Sequence, residues 1–114
     1  HQVGDLVLKG LTARVSDALR DIDVFGRWGG EEFLCLLTNT TYEEAMACAE
    51  RLCVDLADAR LVEAMLDLVI TASFGVVGCC GEDDADSVMS RVDAALYEAK
   101  AAGRNRVSGL SCFD

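Results

Sequence analysis

The chain of 114 residues is long enough for one packed core and too short for two. Its formal net charge of -10 at pH 7 argues against non-specific binding to nucleic acid or to an anionic membrane surface, because both would repel it. Although 52% of the residues are hydrophobic, no apolar run has the length of a membrane span, so we expect a domain without membrane contact.

The first predicted element is an amphipathic helix from Val3 to about Arg20, in which apolar residues recur at helical spacing. A hairpin follows, with strands over Val24–Trp28 and Phe33–Leu37. The second of these strands is an almost unbroken apolar run. Such a run predicts a central strand that is buried on both faces.

A second helix is predicted from the capping-box pattern of Thr41 with Glu44, and it runs to about Ala59. Residues 61–67 are ambiguous, because they are apolar enough to extend the helix and also lie beside a β-rich segment. We assign that segment, residues 68–77, as a strand from its β-branched content and its alternation of apolar residues.

A third helix is predicted from about Ser87, where an apolar stripe begins, and Gly103 is expected in its C-cap position. Residues 106–108 then form a short final strand. The order of helix, hairpin, helix, strand, helix and short strand predicts an α/β (α+β) fold with a central mixed sheet flanked by helices.

No predicted strand precedes the first helix, although such a domain would normally have one there. We therefore expect a single domain over residues 1–114 that lacks its first strand. The unpaired strand edge left by that loss would favour self-association, since free N–H and C=O groups seek partners.

The cysteines give no metal signature, because none forms a C-x-x-C pair and the only histidine is residue 1. Most of the six lie in or beside apolar segments, which predicts reduced, buried thiols and a cytoplasmic location. Cys79, Cys80 and Cys112 lie in a predicted loop and the tail, where we expect adventitious oxidation rather than function.

The predicted hairpin turn contains the sequence Gly29-Gly30-Glu31-Glu32. The glycines supply the positive φ that a two-residue turn needs and allow phosphates to approach the main chain. Glu31 and Glu32 are expected on opposite strand faces, and carboxylates suit Mg²⁺ held together with substrate phosphates. From the residues alone, a Gly-Gly hairpin with solvated glutamates is the equally open alternative.

Three motifs together resemble the GGDEF family of diguanylate cyclases: this hairpin, Gly4-Asp5 near the start, and residues 96–107 with the pattern Leu-Tyr-x-Ala-Lys-x-x-Gly-Arg-Asn-Arg-Val. The resemblance covers the whole chain. It implies a fold related to class III nucleotidyl cyclases and polymerase palms. It also implies condensation of two GTP into cyclic di-GMP and two pyrophosphates by a homodimer, in which each protomer holds one GTP.

The resemblance assigns the hairpin to catalysis. It implies that Gly29 and Gly30 approach the nucleotide, while Glu31 and Glu32 share the binding of Mg²⁺ or Mn²⁺ and the activation of the attacking hydroxyl. The sequence prefers neither glutamate for either task. The family pattern places a further metal-binding Asp, with a Lys and an Asn, on and near the strand before the first helix, and these 114 residues lack all three.

The resemblance also implies nucleotide contacts outside the hairpin. Asp5 is similar to the family's guanine-reading carboxylate, and Lys100 and Arg104 are similar to cations that hold the GTP phosphates. The alternative for Asp5 is an ordinary acid in a first helical turn, and for the two cations it is ordinary bases in a last turn. The helix dipole favours both placements.

An R-x-x-D motif, Arg20 to Asp23, resembles the family's inhibitory product site. An arginine there can fork onto phosphate or the guanine edge, and the carboxylate of Asp23 can accept from guanine. Arg51 resembles a secondary contact that a partner protomer contributes. The alternative for Arg20 and Asp23 is an ordinary arginine at a helix end and an ordinary aspartate in a turn.

The leading interpretation is therefore a diguanylate cyclase domain under product inhibition, in a longer cytoplasmic or membrane-anchored protein with an upstream sensory domain. The alternative is a catalytically inactive module that binds cyclic di-GMP or GTP as a signalling receptor. The intact Gly-Gly-Glu-Glu-Phe sequence favours the enzyme. The missing segment before the first helix favours the receptor for this chain.

Overall fold

A computed structural model of the protein describes residues 2–59 and 68–112. Within these residues it contains helices and strands in the predicted order, which confirms the mixed α+β fold. The helices are α1 (Gln2–Ala18), α2 (Tyr42–Asp58) and α3 (Ala85–Ala101), and the strands are β1 (Val24–Gly29), β2 (Glu32–Leu36), β3 (Phe74–Val77) and β4 (Val107–Leu110).

The described strands form two separate two-stranded sheets. Strands β1 and β2 are antiparallel, whereas β3 and β4 are parallel. Of the strand predicted over residues 68–77, only β3 is observed, and the ambiguous residues 61–67 lie outside the described part of the chain.

The prediction that the second hairpin strand is central and buried on both faces is wrong. Within the described residues β2 pairs only with β1. The side chains of Val24 and Leu36, which are register partners, remain 59% and 57% exposed. Helix α1 lies beside the opposite face of the hairpin, where Phe25 and Phe33 stack. An apolar run predicts burial only where a second layer covers the other face, and here that layer is absent from the described residues.

The β3–β4 sheet is packed between α3 and α2, and two glycines allow the close approach. A Cβ on Gly75 would collide with the backbone of Leu96 in α3, and a Cβ on Gly109 would collide with Tyr42 and Met46 of α2. Because paired residues of neighbouring strands share a face and successive residues of one strand do not, these contacts lie on opposite faces of the sheet. This part of the fold therefore has three layers.

The helix ends follow the capping rules. Thr41 forms the predicted capping box with Glu44 at the start of α2, and Asp84 with Ser87 forms a second box at the start of α3. Helix α3 ends at the C-cap Ala102, and the next residue, Gly103, has φ of 129°. The hydrogen bonds that follow are those of a Schellman motif, which explains the predicted glycine.

The core is small and consists mainly of residues from α2 and α3. Helix α1 contributes Val15 and is tied to α2 by an exposed ion pair between Arg14 and Asp55, 3.4 Å apart. None of the helices in the described part has the length and apolar character of a membrane span. The buried apolar residues of the described part are Val15, Ala49, Leu52, Cys53, Leu56, Ala59, Ala95 and Ala99.

Cys80 and Cys112, two of the three cysteines at which oxidation was expected, form a disulfide. Their sulfurs meet because residue 80 follows β3 and residue 112 follows β4, and these strands are parallel neighbours. The guanidinium of Arg91 holds the same end of the sheet, with hydrogen bonds to the carbonyls of Gly78 (2.9 Å), Leu110 (3.3 Å) and Ser111 (3.0 Å). The cysteines Cys35, Cys48, Cys53 and Cys79 are free.

Candidate functional site

The hairpin tip is a two-residue turn made by Gly30 and Glu31, because Gly29 pairs with Glu32. Gly30 has φ of 50°, a conformation that glycine adopts without strain. The prediction that both glycines form the turn is therefore wrong, since Gly29 is the last residue of β1. A Cβ on either glycine would meet nothing within 4 Å, so the backbone of the tip is open to a ligand.

Arg27 fixes the conformation of the tip. Its Nε and Nη2 atoms donate to the carbonyl of Gly30 at 2.9 and 2.6 Å. Trp28 is the extra residue of a bulge between Arg27 and Gly29, and its side chain is exposed. Sequence reasoning missed Arg27 as a site residue, although an arginine two residues before the first glycine was the available signal.

The two glutamates of the tip occupy different structural positions. Glu31 is the second residue of the turn and Glu32 is the first residue of β2. The prediction that they lie on opposite faces of one strand is therefore wrong. A register in which Gly29 pairs with Glu32 leaves only Glu32 inside the strand. Both side chains are exposed to solvent.

Lys100, from the last turn of α3, lies beside the hairpin. Its Nζ is 3.9 Å from Oε2 of Glu32, in an ion pair whose two side chains are about half exposed. Glu32 and Lys100 are far apart in sequence. The structure thus brings together one predicted metal ligand and one predicted phosphate-binding cation.

Arg104, the other predicted phosphate contact, lies just beyond the end of α3. Arg104 and Asn105 have φ of 63° and 48°, and the carbonyl of Arg104 accepts from Nε of Arg106 at 3.0 Å. The Arg104 side chain is exposed, and within the described residues it has no ion pair with the hairpin. The structure does not join Arg104 to the pair of Glu32 and Lys100.

A cleft of about 500 Å³ separates α1 from the hairpin. Its helical wall includes Leu8, Lys9 and Thr12, and its hairpin wall includes Phe25, Arg27 and Phe33. Asp5 is exposed and lies one helical turn before Leu8, at the edge of this wall. Lys9 and Arg27 give the cleft two cations that the sequence analysis did not assign to a site.

The donor set fits a magnesium ion that arrives with phosphates rather than one held by the protein alone. Among the described residues, no group of three or more His, Cys, Asp or Glu side chains is positioned around a common point. Glu31 and Glu32 provide one or two exposed carboxylates, which is the number that Mg²⁺ usually takes from a protein when substrate phosphates and waters supply the rest.

The R-x-x-D motif closes on itself. Nε and Nη2 of Arg20 donate to the two carboxylate oxygens of Asp23, at 3.3 and 3.2 Å. The backbone N–H groups of Arg20 and Thr38 also donate to this carboxylate, at 2.9 and 3.2 Å. The Asp23 side chain is 3% exposed, whereas that of Arg20 is 52% exposed.

This closure fixes the charge of the aspartate. The hydrogen bonds from the Arg20 side chain, followed by that from the Arg20 backbone N–H, lower the pKa of Asp23 below its usual 3.8. The carboxylate is therefore ionised at neutral pH and accepts four hydrogen bonds from its own chain.

Arg51 lies elsewhere, on the exposed side of α2. It lines a shallow hollow together with Glu50, Val54, Asp55 and Asp58. Within the described residues no hydrogen bond or ion pair joins it to Arg20 or Asp23, so the structure does not bring these predicted product-site residues together in one protomer. A contact supplied by a partner protomer stays a prediction.

The family model described as "Diguanylate cyclase, GGDEF domain" matches residues 1–106 of the chain. Diguanylate cyclase A of Treponema denticola is 37% identical over 109 residues, which are 95% of this chain and 29% of that protein. Response regulator PleD of Caulobacter vibrioides is 36% identical over 114 residues, which are 96% of this chain and 25% of that protein. The chain thus spans between 25% and 29% of the length of these relatives.

Solved structures show the same fold. The active GGEEF domain of a diguanylate cyclase from Vibrio cholerae has a TM-score of 0.85 at 35% identity, covering 96% of this chain and 69% of that one. The GGDEF domain of DgcB from Caulobacter crescentus, in complex with c-di-GMP, has a TM-score of 0.87 at 29% identity, covering 96% and 66%. SiaD from Pseudomonas aeruginosa, in complex with its activator SiaC, has a TM-score of 0.85 at 34% identity, covering 98% and 42%.

Proposed function

Because the chain belongs to the family of GGDEF diguanylate cyclase domains, we propose that it condenses two GTP molecules into cyclic di-GMP and two pyrophosphates. The observation that carries the proposal is the contact between Glu32 and Lys100, 3.9 Å apart. It places a carboxylate suited to a metal ion beside an ammonium suited to phosphate, at an open glycine turn.

The cleft between α1 and the hairpin supports the binding of GTP. Asp5 at its edge can accept two hydrogen bonds from the N1–H and amino group of guanine. Lys100 and Arg104, with Lys9 and Arg27 of the cleft, supply positive charge for the phosphates of GTP. These local cations are needed because the chain as a whole is strongly acidic.

The chemistry requires orientation and charge stabilisation rather than a covalent intermediate with the protein. Glu31 and Glu32 would hold Mg²⁺ or Mn²⁺, which when bound neutralises charge on the transferring phosphate. In our proposal one of these two carboxylates also accepts the proton of the attacking 3′-hydroxyl. Lys100 then exchanges its ion pair with Glu32 for a contact to a phosphate oxygen.

We propose that catalysis needs a homodimer. Each 3′-hydroxyl attacks the α-phosphate of the other nucleotide, so two protomers must face one another across their hairpins. The exposure of Gly29, Gly30, Glu31 and Glu32 supports this, because nothing in the described part of one protomer covers them. An upstream sensory domain of a longer cytoplasmic or membrane-anchored protein would control this encounter, with no role for nucleic acid.

The R-x-x-D motif is the proposed product site. Arg20 is half exposed and carries a guanidinium that suits guanine or phosphate, and Arg51 of a partner protomer would add a second cation. Binding of cyclic di-GMP at this motif would inhibit the enzyme by restraining the encounter of the two protomers.

A receptor for cyclic di-GMP or GTP is the second candidate. The small number of metal ligands at the hairpin tip favours it. Within the described residues, Glu31 and Glu32 are the carboxylates at the tip, and no third ligand lies close to them. A receptor would bind the nucleotide without turnover.

Incubation of the chain with GTP and Mg²⁺, followed by chromatography of the products, tests the proposal. We expect cyclic di-GMP from the unaltered chain and none from Glu32→Gln, with Glu43→Gln in the exposed first turn of α2 as the matched control. Binding of cyclic di-GMP without any turnover would instead establish the receptor. A chain that neither turns over GTP nor binds either nucleotide would refute both functions.

A further inference from the structure

In the described part of the chain, the guanidinium of Arg20 has two nitrogens that hold partners, Nε and Nη2, and one that does not, Nη1. Its Nε and Nη2 atoms contact Asp23, and Nη2 also donates to the carbonyl of Thr38 at 2.5 Å and to Oγ1 of Thr40 at 2.6 Å. Within the described residues Nη1 has no partner. Because the side chain is half exposed, the two N–H groups of Nη1 are the donors available to a ligand.

The polarity of the threonine hydroxyl is fixed by its second contact. Oγ1 of Thr40 donates to the carbonyl of Thr38 at 2.8 Å, so towards Arg20 it must act as an acceptor. The carbonyl of Thr38 accepts from both side chains. The hydroxyl thus completes a closed triangle that holds the Nη2 end of the guanidinium.

The carboxylate of Asp23 is saturated by its own chain. Each of its oxygens accepts two hydrogen bonds, from the Arg20 backbone and Nε on one and from Nη2 and the Thr38 backbone on the other. With 3% exposure it offers no acceptor to a ligand unless these bonds break. Its place in the network is to hold Arg20.

We propose that Thr40 is a positioning residue of the cyclic di-GMP site, which with Thr38 and Asp23 orients Arg20 so that its Nη1 faces the ligand. This inference rests on the proposed product site. The ligand groups that match the free Nη1 are a single acceptor of guanine or a phosphate oxygen, both of which cyclic di-GMP carries. Arg20 is fixed before binding, which spares the ligand the entropy of ordering an arginine side chain.

The test is the affinity of the chain for cyclic di-GMP by calorimetry, for the unaltered protein and three variants. Thr40→Val keeps the shape but removes the hydroxyl, and we expect the affinity to fall about three- to tenfold. Thr40→Ser keeps the hydroxyl and should restore the affinity to within about twofold. Thr71→Val, at an exposed position outside the network, is the matched control and should bind normally.

Normal or tighter binding by Thr40→Val would overturn the inference while leaving the product site intact. So would equal losses in Thr40→Ser and Thr40→Val, because shape rather than the hydroxyl would then matter. No binding by the unaltered chain would refute the product site itself. The NMR signal of the Arg20 Nε–H, recorded without ligand, should be protected from exchange and become less protected in Thr40→Val, whereas no change would also overturn the inference.

Discussion

The two sheets of the protein differ in how they are held. The β3–β4 sheet is packed between two helices, cross-linked by the disulfide of Cys80 with Cys112 and pinned by Arg91. The β1–β2 hairpin faces α1 across a cleft on one side, leaves Val24 and Leu36 exposed on the other, and ends in an open turn. The β3–β4 sheet contributes none of the candidate site residues, whereas the hairpin contributes Arg27, Gly29, Gly30, Glu31 and Glu32.

This difference separates stability from function. Packed strands and a covalent link raise the free energy of unfolding, but the strands β3 and β4 contain no carboxylate that could hold a metal ion. The hairpin does the opposite, and α3 connects the two regions, because it packs on β3 at Leu96 and reaches Glu32 through Lys100. Substitutions in the β3–β4 sheet should therefore change the free energy of unfolding, whereas substitutions in the hairpin should change the binding and turnover of GTP.

The largest expected effect is on stability, from loss of the disulfide. Reduction by a phosphine should lower the free energy of unfolding by about 3–4 kcal/mol, because the link closes a loop with a sequence separation of 32 residues. Urea denaturation with and without the phosphine measures this. The unfolding curve of Cys112→Ser should match that of the reduced protein. The curve of Cys79→Ser, which alters a free cysteine, should match that of the oxidised protein. Equal unfolding curves would contradict the role of the link.

The next effect is on turnover. Glu32→Gln should lower the rate of cyclic di-GMP formation at least about a hundredfold, because a metal-binding carboxylate contributes several kcal/mol to charge stabilisation. The midpoint of urea denaturation should hardly change, since Glu32 is exposed. A variant that loses stability but keeps its rate would reverse our assignment of the two regions.

Two glycines give a matched pair for packing. Gly75→Ala should cost about 1–3 kcal/mol of stability, because its Cβ would collide with the backbone of Leu96. Gly26→Ala in β1 should cost little, because its Cβ would meet nothing within 4 Å. Thermal unfolding of both variants measures the contrast, and similar melting temperatures would show that the β3–β4 sheet is not the tighter of the two.

The smallest effect is a pH dependence within the β3–β4 region. Hydrogen bonds from the Cys80 backbone N–H and then the Ser87 hydroxyl, with the charge of Arg91, lower the pKa of Asp83 below 3.8. A lowered pKa contributes stability that is complete above 3.8 and is lost as the pH falls through the folded-state value. The difference in unfolding free energy between the unaltered chain and Asp83→Asn should therefore shrink below pH 3.8. A difference independent of pH would exclude the charge as its cause.

The local signals in the sequence predicted the fold well. Capping residues and apolar stripes identified all three described helices, and Thr41 with Glu44 marked the start of α2 to the residue. Side-chain periodicity is a local property, so it cannot show which strands pair. The apolar run of β2 was therefore misread as a central strand, and the contact of residue 80 with residue 112 was missed.

For the candidate site, the sequence identified residue types but not their geometry. The motifs indicated Glu32 and Lys100, and only the fold shows that these two side chains meet. The contacts of Arg20 with Thr38 and Thr40 depend on a loop that returns to the helix end, a long-range feature without a sequence signature.

The most direct test of the hairpin as the nucleotide site is a calorimetric titration of the chain with GTP, with and without Mg²⁺. We predict binding that is strengthened by Mg²⁺ in the unaltered chain and loses this dependence in Glu32→Gln. Binding that is equally strong without Mg²⁺, or unchanged in Glu32→Gln, would contradict the placement of the metal and its nucleotide at the hairpin tip.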